Sequence, residues 1–156
     1  MFKESIKDDG KTVGEFCDAL LKQNPEKVEG IFTDYMKKTI SIRDTFVKKP
    51  TKENFYHGLL LGILGFKENW SVMSNRESGD GFSDILIRIE DEDIGIVIEV
   101  KYASDGNLEK ECENALGQII DVRYTDALEQ EGIHKIIKYG IACYKKQCKV
   151  MMKIEE

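Results

Sequence analysis

Apolar positions along the chain follow two spacings, one near 3.6 residues and one near two, and the change between them divides the sequence. From Thr12 to Gln23, Val13, Phe16, Cys17, Leu20 and Leu21 recur at helical intervals and predict an amphipathic helix, which Asn24-Pro25 breaks. A second helix is expected from Glu26, with Val28, Ile31, Phe32, Tyr35 and Met36 on its apolar face, continuing to Ile40 or beyond. Lys48-Lys49-Pro50 interrupts it. Thr51 then reads as the N-cap of a third helix reaching about Phe66, apolar on nearly all sides through Phe55, Leu59, Leu60, Leu61, Ile63 and Leu64. Gly58 and Gly62 in that helix are expected to admit a neighbouring backbone.

Beyond Gly65 the alternation becomes strand-like over Trp70–Ser74, Phe82–Ile89 and Ile94–Tyr102. A long amphipathic helix is expected over Asn107–Glu129, with Leu108, Cys112, Ala115, Leu116, Ile119 and Ala127 on one face. Two short strands, Lys138–Tyr144 and Cys148–Met152, close the pattern. The order α-β-β-β-α-β-β, after an N-terminal helical arm, predicts an α/β or α+β sheet packed between helices.

Pairing arithmetic adds detail. If Phe82–Ile89 and Ile94–Tyr102 form an antiparallel hairpin turning within Glu90–Asp93, Ile85 faces Ile98, Ile87 faces Ile96 and Ile89 faces Ile94. A slip of one residue would turn one strand's isoleucines to the other face, so the register is strongly specified. The same register puts Asp84 opposite Glu99 on the non-isoleucine face, with Cβ atoms roughly 5 Å apart. Such a pair persists comfortably if one carboxyl is protonated or a cation lies between them, and Mg²⁺ is a natural bridge. Lys101, two positions on, points to the same side. Two carboxylates holding a metal beside an ammonium suit activation of a water and stabilisation of charge on a phosphoryl oxygen. The competing explanation is an ordinary half-solvated hairpin with a Glu99-Lys101 ion pair.

The motifs around this triad carry a resemblance. Asp84 followed by Glu99-x-Lys101, within the α-β-β-β-α-β order, resembles the PD-(D/E)XK nuclease superfamily. Glu53 to Gly62 (ENFYHGLLLG), Ser74 to Gly81 (SNRESGDG) and Tyr139 to Cys143 (YGIAC) resemble the nuclease-like domain at the C-terminus of bacterial AAA-ATPase-like proteins, over roughly Tyr35 to Val150. The resemblance implies a restriction-endonuclease-like α/β core in residues 51–156, with 1–50 as a helical arm or connecting region. It implies a Mg²⁺-dependent nuclease, Mn²⁺ substituting, that acts on nucleic acid and on DNA in preference to RNA. Asp84 and Glu99 would be metal ligands, with the Val100 carbonyl a third, and Lys101 would orient or polarise the attacking water. Glu53 corresponds to the superfamily's helical glutamate, and Gln118 to a glutamine lining the site. For Glu53 a helix pair with His57 is an equal alternative, and for Gln118 a solvated helix position. Arg123 is expected to snorkel to the rim or reach toward phosphate. The resembling proteins carry an ATPase region, whereas this chain has no Gly-x-x-x-x-Gly-Lys-[Ser/Thr] loop, so ATP hydrolysis is not expected of it, and an ATPase domain or partner is an expected source of missing nucleic-acid affinity.

Composition qualifies this picture. The formal charge is -6, with 23 bases and 29 acids, and the pI of about 5.1 opposes wholesale capture of nucleic acid. The charge is segregated: Glu90–Glu131 holds 13 acids and 3 bases, and Gly132–Lys153 holds 6 lysines and no acid. Lys138, Lys145, Lys146 and Lys149 are placed to track a phosphate backbone. Cys17, Cys112, Cys143 and Cys148 match no zinc or disulfide spacing and read as reduced thiols of a cytoplasmic protein. No stretch is long and apolar enough to span a membrane, and no secretory h-region opens the chain. Two other functions fit the same residues: a catalytically silent nuclease-fold module that binds nucleic acid or protein, and a structural homodimer built through the apolar helices.

Overall fold

The computed structural model describes residues 2–39, 49–65, 67–76, 83–89, 92–121 and 132–155. They form helices α1 (Phe2–Leu21), α2 (Pro25–Thr39), α3 (Lys49–Leu64) and α4 (Leu108–Asp121), and strands β1 (Trp70–Arg76), β2 (Ser83–Ile89), β3 (Ile94–Tyr102), β4 (Lys135–Tyr144) and β5 (Gln147–Glu155). The strands make one mixed sheet in the order β1-β2-β3-β4-β5, antiparallel at every step except the parallel β3–β4 pair. The crossover between those two strands carries α4, the connection a parallel pair requires.

Alternation along the strands separates two faces. On one, Ile85, Ile87, Ile89, Ile96, Ile98, Val100, Ile137, Tyr139 and Ile141 join one core with buried residues of α1, α2 and α3. On the other, Val97 and Ile136 pack beneath Leu116 and Ile119 of α4. β3 is buried from Gly95 to Tyr102. Tyr139 crosses the larger core, its hydroxyl donating to the Leu20 carbonyl at 2.6 Å, and thereby ties α1 to the central sheet.

Several boundaries differ from the sequence expectation. α1 begins at Phe2 rather than Thr12, extending the helix N-terminally past the amphipathic stretch through the charged segment Phe2–Lys11. α2 starts at Pro25, with Asn24 as its cap through Oδ1 accepting from the Lys27 N–H at 3.2 Å. Thr51 is not an N-cap: α3 already includes Lys49 and Pro50, since proline is tolerated in a first turn whose N–H groups have no helical acceptor. That helix is also one-sided. Tyr56, His57, Leu60, Ile63 and Leu64 are buried, whereas Gly58 and Gly62 are exposed with open space around them and admit no backbone. β4 and β5 run longer than expected, from Lys135 and to Glu155, because each borrows pairing from its neighbour where its own alternation fades. The expected continuations at Ile40, Phe66 and beyond Asp121 to Glu129, with Arg123 and the Phe82 strand start, lie outside the described residues.

Candidate active site

The hairpin of β2 and β3 has the register that the isoleucine pattern requires: Ile85 opposite Ile98, Ile87 opposite Ile96, Ile89 opposite Ile94. Asp84 therefore faces Glu99, and this is the last pair of the β2–β3 ladder. β3 runs three residues further, so Val100, Lys101 and Tyr102 keep β4 as their paired neighbour. The carboxylate pair thus sits where the sheet opens, near the carboxyl ends of the parallel strands, the usual place for ligands in open α/β sheets.

Both carboxylates are buried, Asp84 at 3% and Glu99 at 0% exposure, and Lys101 is 8% exposed on the same α4-covered face. Two ionised carboxylates on directly opposed positions, with Cβ atoms about 5 Å apart, repel each other. Lys101 only partly offsets this, its Nζ standing 3.9 Å from Glu99 Oε1, beyond hydrogen-bond range. Neither Glu99 oxygen accepts a hydrogen bond among the described residues. A buried carboxylate in that condition is costly unless another group supplies the missing contacts. The carboxylate face is buried rather than half-solvated, and the Glu99–Lys101 pair of the competing explanation is present at 3.9 Å.

α4 closes the site from above, and Gly140 sets how closely. Gly140 is Glu99's partner on β4. A Cβ there would come within 2.6 Å of the Cys112 carbonyl oxygen and 3.0 Å of Leu116 Cγ, so only glycine lets α4 lie this deep. Cys112 Sγ donates to the Gly140 carbonyl at 2.8 Å, fixing the contact. Burial pushes the Cys112 thiol up to about 11, which keeps its proton in place for that bond.

The other sequence candidates are distributed around this pair. The Val100 side chain belongs to the isoleucine-side core, leaving its backbone beside the end of the ladder. Gln118 is half-buried on α4, the helix that covers the carboxylate face. Glu53 lies in the first turns of α3, and its side chain falls outside the description. His57 does not stand on the carboxylate side: its Nε2 is 2.8 Å from Ser74 Oγ, and it is buried on the isoleucine side, pinning α3 to β1. Lys138, expected along a phosphate track, is 6% exposed. Lys145 and Lys149 are exposed and Lys146 half-buried.

Hard oxygen donors in this arrangement suit Mg²⁺ or Mn²⁺, which are held by one or two protein carboxylates with water and substrate oxygens completing the shell. Among the described residues no set of three His, Cys, Asp or Glu converges. Sequence reasoning did not find a row of tyrosines on the opposite, isoleucine-side face of the sheet. Tyr102, next after Lys101, stacks between Tyr56 and Tyr144, with centroids 6.2 and 6.0 Å away. The residues come from three distant elements, and no spacing in the chain announces their contact.

A mixed sheet clasped between helices, with Asp on one hairpin strand and Glu-x-Lys on the next, defines the class of restriction-endonuclease-like α/β proteins. Residues 51–153 match the model of the PD-(D/E)XK nuclease superfamily, and the chain belongs to that superfamily. No match was found among curated proteins or among solved structures. Membership implies a nuclease-type activity on nucleic acid and the general use of divalent metal ions. Among the described residues no helix is long and apolar enough to cross a membrane.

Proposed function

We propose that the protein is a Mg²⁺-dependent phosphodiesterase acting on DNA, with Asp84 and Glu99 as metal ligands and Lys101 at the attacking water. The observation that carries this reading is the buried Asp84–Glu99 pair, in register on adjacent strands, with both Glu99 oxygens lacking a hydrogen bond. A bound divalent ion supplies Lewis-acid stabilisation of phosphoryl charge and a lowered pKa for water. The chain's own residues do the remainder. Asp84 and Glu99 hold the ion at the open end of the ladder, and the Val100 carbonyl is placed beside them. Lys101 fixes and polarises the water from the same face. Gln118, half-buried on α4, is the further residue assigned to the surroundings of the site. α4 keeps bulk water off Glu99, so electrostatic effects at the site are stronger than at a surface. An ATPase domain or partner contributes the nucleic-acid affinity that an acidic chain lacks, and the buried free thiols suit the reducing cytoplasm.

Single- and double-stranded DNA and RNA incubated with Mg²⁺ or Mn²⁺ test the assignment. DNA is cut fastest, and Asp84→Asn, Glu99→Ala and Lys101→Ala each lose about 100-fold or more, the scale of removing charge stabilisation from a transition state. Cleavage indifferent to Glu99→Ala and Lys101→Ala overturns it. Salt-dependent binding without turnover under any divalent ion marks a silent binding module instead.

A further inference from the structure

A cavity of about 270 Å³ opens between α1 and the β1–β2 pair. Trp70 and Ile89 line it, an opposed pair at the far end of the β1–β2 ladder from Asp84. Ile89 is five residues from Asp84 along β2, about 17 Å at 3.4 Å per residue, so the cavity is separate from the carboxylate site. Its walls come from two parts of the chain: α1 lies outside the superfamily match, whereas β1 and β2 lie within it. Ligand pockets concentrate at such junctions. The lining is apolar at its base and acidic at its mouth. Trp70 and Ile89 are buried and Leu21 is half-buried. Glu15, Asp18 and Glu92 are exposed and Lys67 is half-buried, so three carboxylates stand against one ammonium. Asp18 is committed to Lys22 at 2.9 Å, but among the described residues Glu15 and Glu92 enter no ion pair. Gly14 supplies an independent sign. It lies inside a 20-residue helix, where glycine costs about 1 kcal/mol against alanine, yet a Cβ there would meet nothing within 4 Å. Packing therefore does not require that glycine. Its spacing to Cys17, Asp18 and Leu21 puts position 14 on the helix face that borders the cavity, where a larger side chain would narrow the opening.

We infer that this cavity receives the side chain of an arginine from a partner polypeptide. The apolar base suits the methylene stem, and Glu15 and Glu92, carried by separate elements, suit the forked donors of a planar guanidinium. An ammonium is a single point of charge and matches two carboxylates on separate walls less well. A neutral or anionic group leaves both uncompensated. Arginines set in desolvated pockets are frequent anchors of protein interfaces, and a cationic partner complements a chain of net charge -6. The inference does not depend on the nuclease reading.

Trp70 is the chain's single tryptophan, so its emission reads occupancy of the cavity directly. At constant ionic strength, N-acetyl-arginine amide changes that emission saturably, with a half-point in the millimolar range expected of one side chain. The half-point for N-acetyl-lysine amide is at least about threefold higher, and N-acetyl-leucine amide gives no saturable change. Combining Glu15→Gln with Glu92→Gln raises the arginine half-point about tenfold. Gly14→Leu melts no lower than the wild type, because it removes a helical glycine, and loses the titration. Free arginine, whose own carboxylate the two glutamates repel, binds more weakly than the amide; equal or tighter binding overturns a polypeptide as its source. Saturation-transfer NMR of the amide reads binding independently of emission. No saturable binding by either method overturns the pocket, as does a leucine or lysine amide that binds as well as the arginine amide. Should Gly14→Leu fail to fold, an unchanged half-point in the glutamine double variant overturns it equally.

Discussion

Glu99 carries the largest local conflict in the molecule. It is fully buried, it faces Asp84, and its nearest described cation is at the outer limit of an ion pair. A site arranged for a metal should be destabilising without one. Glu99→Gln, which keeps a polar head group but removes the charge facing Asp84, is therefore expected to raise the metal-free stability by about 1–3 kcal/mol, the scale of the repulsion it relieves. For a domain of this size that is a melting shift of roughly 2–4 °C per kcal/mol. Addition of Mn²⁺ should then raise the melting temperature of the wild type with concentration and leave Glu99→Gln nearly unmoved. Scanning fluorimetry with and without EDTA checks both. A metal-free Glu99→Gln that melts lower and still responds to Mn²⁺ contradicts the assignment of Glu99 as a ligand. The Asp84–Glu99 juxtaposition was legible in the sequence because three isoleucine pairs fix the register, and side-chain direction follows from it. The His57–Ser74 contact was not legible: it depends on where α3 lands on β1, which no local spacing encodes.

Among the elements, α4 and β4 meet most closely where Gly140 passes beneath Cys112. Gly140→Ala would force a methyl group against a backbone carbonyl that cannot rotate away, so α4 must lift. The expected loss is about 1–3 kcal/mol, as for other overpacked cores, measured as the urea midpoint. Activity should fall with it, since lifting α4 admits water to Glu99. An Ala variant as stable as the wild type would mean that α4 slides at little cost. Element order and the strands' core faces were readable from periodicity alone. Terminal boundaries were not, for two physical reasons. Pro50 is compatible with a first helical turn, so its presence does not mark a boundary on one particular side. In β4 and β5, pairing with neighbours extends the ladder past the point where apolar alternation stops.

At the scale of the whole molecule, α1 and α2 contribute Phe16, Leu20, Phe32 and Met36 to the same core as the sheet, although the superfamily match begins at residue 51. That core also buries Cys17, Cys143 and Cys148. Burial pushes Cys17 up to about 11 and Cys148 up to about 12, and raises Cys143 well above its ordinary value. A thiol raised in the folded state binds its proton there after the unfolded chain has released one. The stabilisation is complete below about pH 9 and is lost as pH rises toward 11–12, at about 1.4 kcal/mol per pH unit per thiol. Urea midpoints should be level from pH 7 to 8.5 and fall steeply above pH 9; a midpoint that rises there contradicts the burial. The segregated charge was visible in the sequence, but which lysines reach solvent was not, because Lys138 lies on the strand face that α4 covers.

The two borders of the sheet are unequal. At β5, Glu29 Oε1 of α2 accepts the Val150 N–H at 3.0 Å, so an outward-facing donor is already taken. At β1, Met73 is half-exposed on the outermost strand. Natural sheets guard such borders because an open row of backbone groups recruits another strand. Among the described residues β1 is the less guarded border, and pairing of β1 with β1 of a second copy would be a two-fold contact using that border of both molecules. Association by that route would close at a pair rather than extend as a filament.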